Sequence, residues 1–458
     1  MDWSARLERL TTGQTLAVKI TGLSHDGQGV ARLDDQVVFV VGALPGELVQ
    51  VRLTHRARSH WLADLEDIKT AAPERQHPPC ILSDNCGSCS LQHLEDRSQQ
   101  HWKHQKVVDA MRRIAHLDQP VAPLLASAEG LGYRNRAIIP LERCKEGRLR
   151  AGYYRRGSHD IVNMNHCPVL DPRLDGLIAP LKADLEKSDW PIDRDCRKGG
   201  GLRHLALRIG HHSGEQLITL VSSHAELDGL ELLADEWMGR WPELVGVCLN
   251  LQPEATNTLM GAETRVVAGR GWLEERFCNL RLRIGSDTFF QVHTQQAEQV
   301  LTPLLAALAE IPTGVMVDAY CGIGTYSLPV AAAGWRVHGI ELSQEAVKQA
   351  RTNARANGLE GRASFETGGV ALCLAGHLGN CDALFLDPPR KGLEPMTLEV
   401  IRKHPPASLI YLSCDPATMA RDLGQLLLGE LYQLQLLQPF DFFPQTSHVE
   451  TLAVLKRC

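Results

Sequence analysis

Val315-Met-Val-Asp-Ala-Tyr320 followed by Cys321-Gly-Ile-Gly-Thr325 is the stretch that decides the fold: an apolar strand, a glycine turn, then helical spacing as far as Ala333. Strand, Gly-x-Gly turn and helix in that order begin a parallel α/β sheet, whose ligands bind outside the carboxyl ends of its strands. The neighbouring text repeats the unit. Arg336-Val-His-Gly-Ile-Glu341 precedes a long helix containing Ala346 to Asn357, and Asp382-Ala-Leu-Phe-Leu-Asp387 runs into Pro388-Pro-Arg390. Ser408-Leu-Ile-Tyr-Leu412 opens into Ser413-Cys-Asp-Pro416 and a further helix. The last two apolar runs, Leu434 to Asp441 and His448 to Leu455, are joined by a proline-bearing loop too short for a crossover helix. They predict an antiparallel edge on an otherwise parallel, doubly wound sheet spanning 288–458.

The mouth of this sheet carries chemistry. Gly322 and Gly324 let a ligand approach the backbone, and Glu341, closing the second strand, suits ribose hydroxyls. A nicotinamide site would place a third glycine at 327, where this chain has Ser. An adenosine pocket without a pyrophosphate loop fits S-adenosylmethionine. Asp387, held by two prolines, is similar to the Asp/Asn-Pro-Pro segment that receives an exocyclic amine in many nucleic-acid methyltransferases, a resemblance that implies a base-binding pocket. Cys414, at a strand mouth, can serve as a nucleophile. A thiolate that adds to carbon 6 of a uracil makes carbon 5 reactive toward a methyl donor. A base must then remove the carbon 5 proton, and Glu450 starts the last strand beside the fifth, with His448 as a competitor.

Upstream, short alternating runs separated by glycine turns (Leu16 to Ile20, Gln36 to Val41, Leu48 to Leu53) predict four or five strands of a small OB-like β-barrel over 12–70. Gly27-Gln-Gly-Val-Ala31 and Val38-Phe-Val-Val-Gly-Ala-Leu-Pro-Gly-Glu47 resemble the TRAM domain, an RNA-binding barrel. A central α+β region, 71–287, follows. It opens with Cys80, Cys86 and Cys89, and a fourth cysteine stands at Cys167 before Pro168. Four thiolates suit tetrahedral zinc or an iron-sulfur cluster, and the Cys-Pro ending favours [4Fe-4S]. Cys144, Cys196, Cys248 and Cys278 share no ligand spacing and are expected to be packing or surface residues.

Composition sets the frame. The chain has 458 residues, 44% hydrophobic and 22% charged, which suits several globular domains. Thirteen cysteines, an odd count, argue against a disulfide framework. The start, Met1 to Leu10, shows no secretory signal, and no run reaches the roughly 18 apolar residues that span a bilayer, so a cytoplasmic location is expected. The net charge is −6, yet Arg97 to His116 carries +4 and Tyr133 to Arg156 carries +6. These blocks predict a phosphate-facing surface, with Tyr133-Arg-Asn-Arg136 and Tyr153-Tyr-Arg-Arg156 suited to stacking on unpaired bases.

Phe289-Phe-Gln291, Asp318 to Thr325, Asp387-Pro-Pro-Arg-Lys-Gly392, Leu412-Ser-Cys-Asp-Pro416 with Ala420-Arg-Asp-Leu423, and Phe443 to Glu450 together resemble the RNA (uracil-5-)-methyltransferase family. With the barrel and the four cysteines, the resemblance is strongest to its 23S rRNA branch and covers almost the whole chain. It implies Cys414 as nucleophile, Glu450 as base, and cofactor contacts from Gln291, Tyr320, Thr325, Glu341 and Asp387. It also implies a [4Fe-4S] cluster on the four cysteines, and an RNA partner for a monomeric enzyme. The expected reaction is methylation of carbon 5 of a 23S rRNA uridine flipped from its stack. A tRNA uridine is the nearest alternative. An amine methyltransferase using Asp387-Pro-Pro389 and a non-catalytic RNA-binding factor are alternatives of other kinds. His293, Thr325 and Asp415 stand where the family reads asparagine. An anionic Asp415 would raise the Cys414 pKa unless a cation or the following helix N-terminus offsets it.

Overall fold

The computed structural model describes residues 10–33, 36–197, 199–256 and 258–458, so most of the stretch read for a leader lies outside the described residues. Six strands, from Thr15–Lys19 to His60–Thr70, make the N-terminal sheet. The chain from Thr15 to Leu23 pairs with Leu48–Arg56 at one end and Gly29–Leu33 at the other, which curls the sheet closed. Ile20 N–H donates to the Glu47 carbonyl (2.9 Å) and Thr21 N–H to the Val30 carbonyl (2.8 Å) at this seam. Closure hides the strand edges around a core of Val18, Val38, Val40, Val49, Val51 and Trp61. Gly29 is required there, because a Cβ would stand 2.8 Å from the Ala43 carbonyl oxygen. The longest strand, His60–Thr70, escaped the sequence reading because Asp64, Glu66 and Asp67 interrupt its apolar run.

The central sheet runs in the order Glu263–Gly269, Leu244–Leu251, Gln216–Ser222, Leu202–Ile209, Arg136–Arg143, Leu149–Ala151. Helices Pro172–Lys187 and Leu230–Arg240 bury Leu174, Leu177, Leu181 and Trp237 in its core.

The C-terminal sheet holds seven strands: β1 Val315–Ala319, β2 Arg336–Glu341, β3 Ala363–Thr367, β4 Ala383–Leu386, β5 Ser408–Ser413, β6 Tyr432–Phe440 and β7 Glu450–Arg457. Their order is β3-β2-β1-β4-β5-β7-β6. β1 to β5 are parallel, and β7 inserts antiparallel to both β5 and β6. The topological switch lies between β1 and β4, where an open sheet of this kind binds its ligand.

Two segments from earlier in the chain complete this core. The hairpin Trp272–Phe277 and Leu280–Gly285 contributes Leu273, Phe277, Leu282 and Ile284. From the opposite side, helix Asp96–Ala110 and the π-turn Met111–Ala115 insert Val107 and Met111 beside Met419 and Leu423. This packing takes Lys103, Lys106 and Tyr133 out of the expected basic surface, while Arg97, Arg112, Arg113, Arg155 and Arg156 stay exposed. Lys103 is fully buried against Asp441 (2.6 Å), and Lys106 donates to the carbonyls of His25 and Ser447. Tyr133 is also interior: its hydroxyl donates to the Pro444 carbonyl (3.1 Å) and its ring stacks on His293. Tyr133 therefore offers no platform to a base. Among the described residues, no helix is long and apolar enough to cross a membrane.

Candidate active site

The β1 turn departs from strand geometry at once. Tyr320 adopts φ 73°, a left-handed conformation that costs an aromatic residue roughly 1–3 kcal/mol. Gly322 (φ 54°) and Gly324 (φ 85°) continue the turn, and a Cβ at Gly322 would meet no atom within 4 Å. The Glu341 carboxylate accepts N–H groups from Gly322 (3.1 Å) and Ser343 (2.8 Å), tying the end of β2 to the glycine turn. Behind it lies Asp318, buried, with Oδ2 accepting from the Ser327 hydroxyl (2.5 Å) and Oδ1 lacking a partner. Burial, and then the Glu341 charge, push the Asp318 carboxyl up to about 7, against the pull of Ser327. Thr325 is buried beside them.

At the switch, Asp387 follows β4 and is likewise pushed up to about 7, by burial and by Asp318. Gln291 reaches it from outside the sheet, its Nε2 lying 3.4 Å from Asp387 Oδ2, while Asn135 holds the Gln291 carbonyl. Next to Gln291, Phe290 is buried and Phe289 is 60% exposed. No basic side chain is hydrogen-bonded to Asp318 or Asp387 among the described residues, so the mouth of the sheet carries carboxyl groups with an unfilled need for a cation. S-adenosylmethionine, with its ammonium and sulfonium charges, has the chemistry to fill it.

Cys414 and Glu450 meet at the other side of Asp387. β5 pairs with β7 so that Ser413 opposes Thr451, which brings Cys414 and Glu450 to the same end of neighbouring strands. Burial pushes the Cys414 thiol up to about 12, with Glu450, Asp387 and Asp415 adding to the rise and Arg390 opposing it. Burial raises the Glu450 carboxyl well above its ordinary range, and Asp387 raises it further. Asp415 is spent elsewhere: it caps helix Pro416–Leu426, accepting from Thr418 N–H at 2.8 Å. The cation that offsets it is Arg390. His448 is driven down to about 4 by burial and by Arg390 and Lys106, which leaves a weakly basic ring. His293 is buried between Ser127, Tyr133 and the Phe442 carbonyl, away from these groups' hydrogen bonds.

Sequence reasoning overlooked Tyr326, Arg390 and Asp318. Tyr326 has a buried hydroxyl without a partner, within the electrostatic reach of Asp387, Glu450 and Asp318. Its position directly after the glycine turn was the available signal.

The loop between β6 and β7 is held from outside. Lys103 binds Asp441 and the Phe443 carbonyl, and Gln99 and Gln445 exchange amide hydrogen bonds at 3.0 Å. Leu91 N–H donates to the Gln445 carbonyl (3.0 Å). Leu91 is two residues from Cys89, so the cysteine segment and the loop leading to Glu450 are directly connected. Cys80, Cys86, Cys89 and Cys167 come together here. Burial pushes Cys89 up to about 12 and Cys167 up to about 11, and each is raised further by cysteines of the same set. Gly87 N–H donates to the Tyr154 carbonyl (2.9 Å), and a Cβ on Gly87 would stand 3.1 Å from Arg156 Cα.

Comparison with known proteins agrees with this architecture. Residues 9–60 match the TRAM domain, 316–399 a methyltransferase domain, and 375–458 the tRNA (Uracil-5-)-methyltransferase family. Similar proteins named as uncharacterized RNA methyltransferases occur in Parasynechococcus marenigrum (50% identical, covering 97% of this chain and 96% of that protein) and Synechocystis sp. (44%, covering 97% and 96%). Another is found in Listeria innocua (33%, covering 97% and 98%). In three dimensions the chain is similar to the Pyrococcus abyssi tRNA (uracil-54, C5)-methyltransferase in complex with S-adenosyl-L-homocysteine. The TM-score is 0.77 at 24% identity, over 96% of this chain and 100% of that one, a likeness of fold. The chain belongs to the RNA (uracil-5-)-methyltransferase family and is an S-adenosylmethionine-dependent RNA methyltransferase with an N-terminal TRAM domain.

Proposed function

We propose that this enzyme methylates carbon 5 of a uridine in 23S rRNA through a covalent bond between Cys414 and carbon 6. The observation that carries the reading is the β5–β7 register, which sets Cys414 beside Glu450 with Asp387 and Arg390 facing the thiol. When bound, S-adenosylmethionine supplies an electrophilic methyl group on a cationic sulfonium. Gln291, Tyr320, Gly322, Gly324, Thr325, Glu341 and Asp387 form its side of the pocket, Glu341 toward the ribose. The Cys414 thiol is protonated at rest and becomes a thiolate only as positive charge gathers around it, Arg390 being the cation the chain supplies. The thiolate then adds to carbon 6, carbon 5 takes the methyl group, and Glu450, once it has lost to solvent the proton that burial favours, removes the carbon 5 proton. Elimination re-forms the carbon 5–carbon 6 double bond and frees Cys414. Phe289, exposed beside Gln291, offers an apolar face to a flipped base.

5-Fluorouridine-substituted RNA tests the chemistry, because fluorine cannot leave as a proton. With 23S rRNA and the cofactor, a band stable to denaturation is expected and should vanish in Cys414→Ala. A band with tRNA alone would move the substrate to tRNA. No band with either RNA, from protein that binds the cofactor, would overturn the covalent route and favour amine methylation through Asp387.

Cys80, Cys86, Cys89 and Cys167 fit a [4Fe-4S] cluster. The thiols raise one another's pKa, a cost that a metal centre removes, yet no three of their sulfurs lie within 4.8 Å of one another. A single tetrahedral zinc, with Zn–S bonds of about 2.3 Å, would draw them closer than that. With all four positions taken by protein thiolates, the cluster's role is to order the segment that braces the Glu450 loop. Anaerobically purified protein should contain iron and acid-labile sulfide in equal amounts; zinc without sulfide would overturn this assignment.

A further inference from the structure

On the outer edge of the C-terminal sheet, His338 of β2, Glu366 of β3 and His377 of helix Ala375–Leu378 converge. Among the described residues this is the one group of at least three such side chains whose ligating atoms all lie within 4.8 Å of one another. The strand register explains the meeting. His338 pairs with Ser364 and Ile340 with Glu366, so the side chains of 338, 364 and 366 stand on one face of the sheet. The helix that brings His377 covers that face, and the two imidazoles stack with centroids 3.9 Å apart.

The hydrogen-bond pattern leaves one atom unexplained. Ser364 Oγ lies 3.4 Å from the Val337 carbonyl and 2.9 Å from His338 Nδ1, an arrangement satisfied when His338 carries its proton on Nδ1. That tautomer turns a lone pair on His338 Nε2 toward the Glu366 carboxylate 3.5 Å away. Nε2 is buried and has no hydrogen-bond partner. His377 Nε2 approaches the same carboxylate oxygen at 2.9 Å. Two acceptors that face each other in a half-buried site repel unless a cation lies between them. A histidine whose outer nitrogen is fixed by a hydrogen bond, leaving the other free, is also the usual arrangement of a metal-ligating imidazole.

We propose that His338, Glu366 and His377 bind a divalent transition metal of the zinc class. Two imidazoles and one carboxylate suit zinc, and imidazole nitrogen discriminates against magnesium and calcium. The Cys373 thiol, within the electrostatic reach of Glu366, stands at the rim of the group. The metal would staple β2, β3 and the 370–378 segment together. Gly368 N–H donates to the Glu341 carbonyl (2.9 Å), so the staple lies directly behind the carboxylate assigned to the cofactor ribose. The site is independent of the Cys414 chemistry.

The test compares wild-type protein with His377→Gln and Glu366→Gln, all carrying the same four-cysteine segment. After equilibrium dialysis against micromolar zinc, wild type should retain one metal ion per chain more than either variant. Added zinc should raise the wild-type melting temperature but leave that of Glu366→Gln unchanged. Equal zinc in all three proteins would overturn the proposal, as would a thermal shift produced equally well by magnesium. His377 is partly exposed and Glu366→Gln keeps the side chain's shape, so each variant checks the other against a folding defect.

Discussion

Two regions of this molecule bury ionisable groups, and they do so in opposite ways. Around helix Asp96–Ala110 and the start of the barrel, each buried charge has a partner: Lys103 meets Asp441, and Arg75 binds Glu47 at 2.5 and 2.8 Å. At the sheet mouth, Asp318, Asp387, Glu450 and Cys414 crowd together with Arg390 as the opposing charge, and all four are pushed toward their protonated forms. The paired groups fix positions. The unpaired ones are held where a cationic ligand or a proton transfer changes their state, which is what chemistry at neutral pH needs. Stability is spent in one region and gained in the other.

The sharpest way to break this contrast is Glu450→Gln. As the base, its loss should slow turnover on the order of 10²–10⁴-fold, at the elimination that follows methyl transfer. Natural RNA should then accumulate on the enzyme as a band stable to denaturation, because addition proceeds without elimination. Urea unfolding should show no loss of stability, since burial already pushes the carboxyl it replaces toward its neutral form. Full activity would shift the role to another group.

Lys103→Met should do the reverse. It strands a buried Asp441 and should cost about 3–5 kcal/mol in urea unfolding, most of it recovered in the Lys103→Met/Asp441→Leu double variant. A cost under ~1 kcal/mol would mean that the pair is wetter than its burial implies.

pH separates the regions last. Asp318 and Asp387 have folded values near 7 against an ordinary 3.8, so the native state keeps protons that the unfolded chain has released. Stability of the ligand-free enzyme should therefore fall between these limits as pH rises, by about 1.4 kcal/mol per unit for each group, and level off above. Glu47 has the opposite sign. Burial pushes it up, but hydrogen bonds from Arg75, Leu44 and Ala72 bring it below 4.5 overall. Its contribution is present above that value and is lost as pH falls through the folded value. Denaturation midpoints from pH 4 to 8 should show the first slope flattened in Asp318→Asn and the acid limb reduced in Glu47→Gln.

Much of the scaffold was legible because its signals are local. The run Val315 to Thr325 announces a strand and a glycine turn in consecutive residues, and the β-barrel shows as short runs between glycines. His60–Thr70 was missed because its alternation is masked by acidic residues that point to solvent. In the basic block from Arg97 to His116 the arginines are exposed as expected, but Lys103 is not, since a lysine buried against Asp441 looks the same in sequence as one in water. Asp415 was legible as a charge that raises the thiol's pKa, and it does so, but its second role as the cap that accepts from Thr418 N–H shows only in the fold. Arg390 gave no sign, as nothing in a sequence marks a guanidinium facing a thiol, and Tyr326 gave only its place after the glycine turn.

The sequence by itself determined the strand-and-turn order of the C-terminal sheet, the residue types at its mouth, and the four cysteines upstream. Only the tertiary structure decided which of them meet. It set β7 between β5 and β6 so that Glu450 reaches Cys414, drew Lys103 into the core to hold the loop before Glu450, and set His338, Glu366 and His377 around one point. The physical reason is that periodicity and turn chemistry act over a few residues. Pairing register, burial and electrostatic reach, by contrast, depend on contacts between segments far apart in the chain.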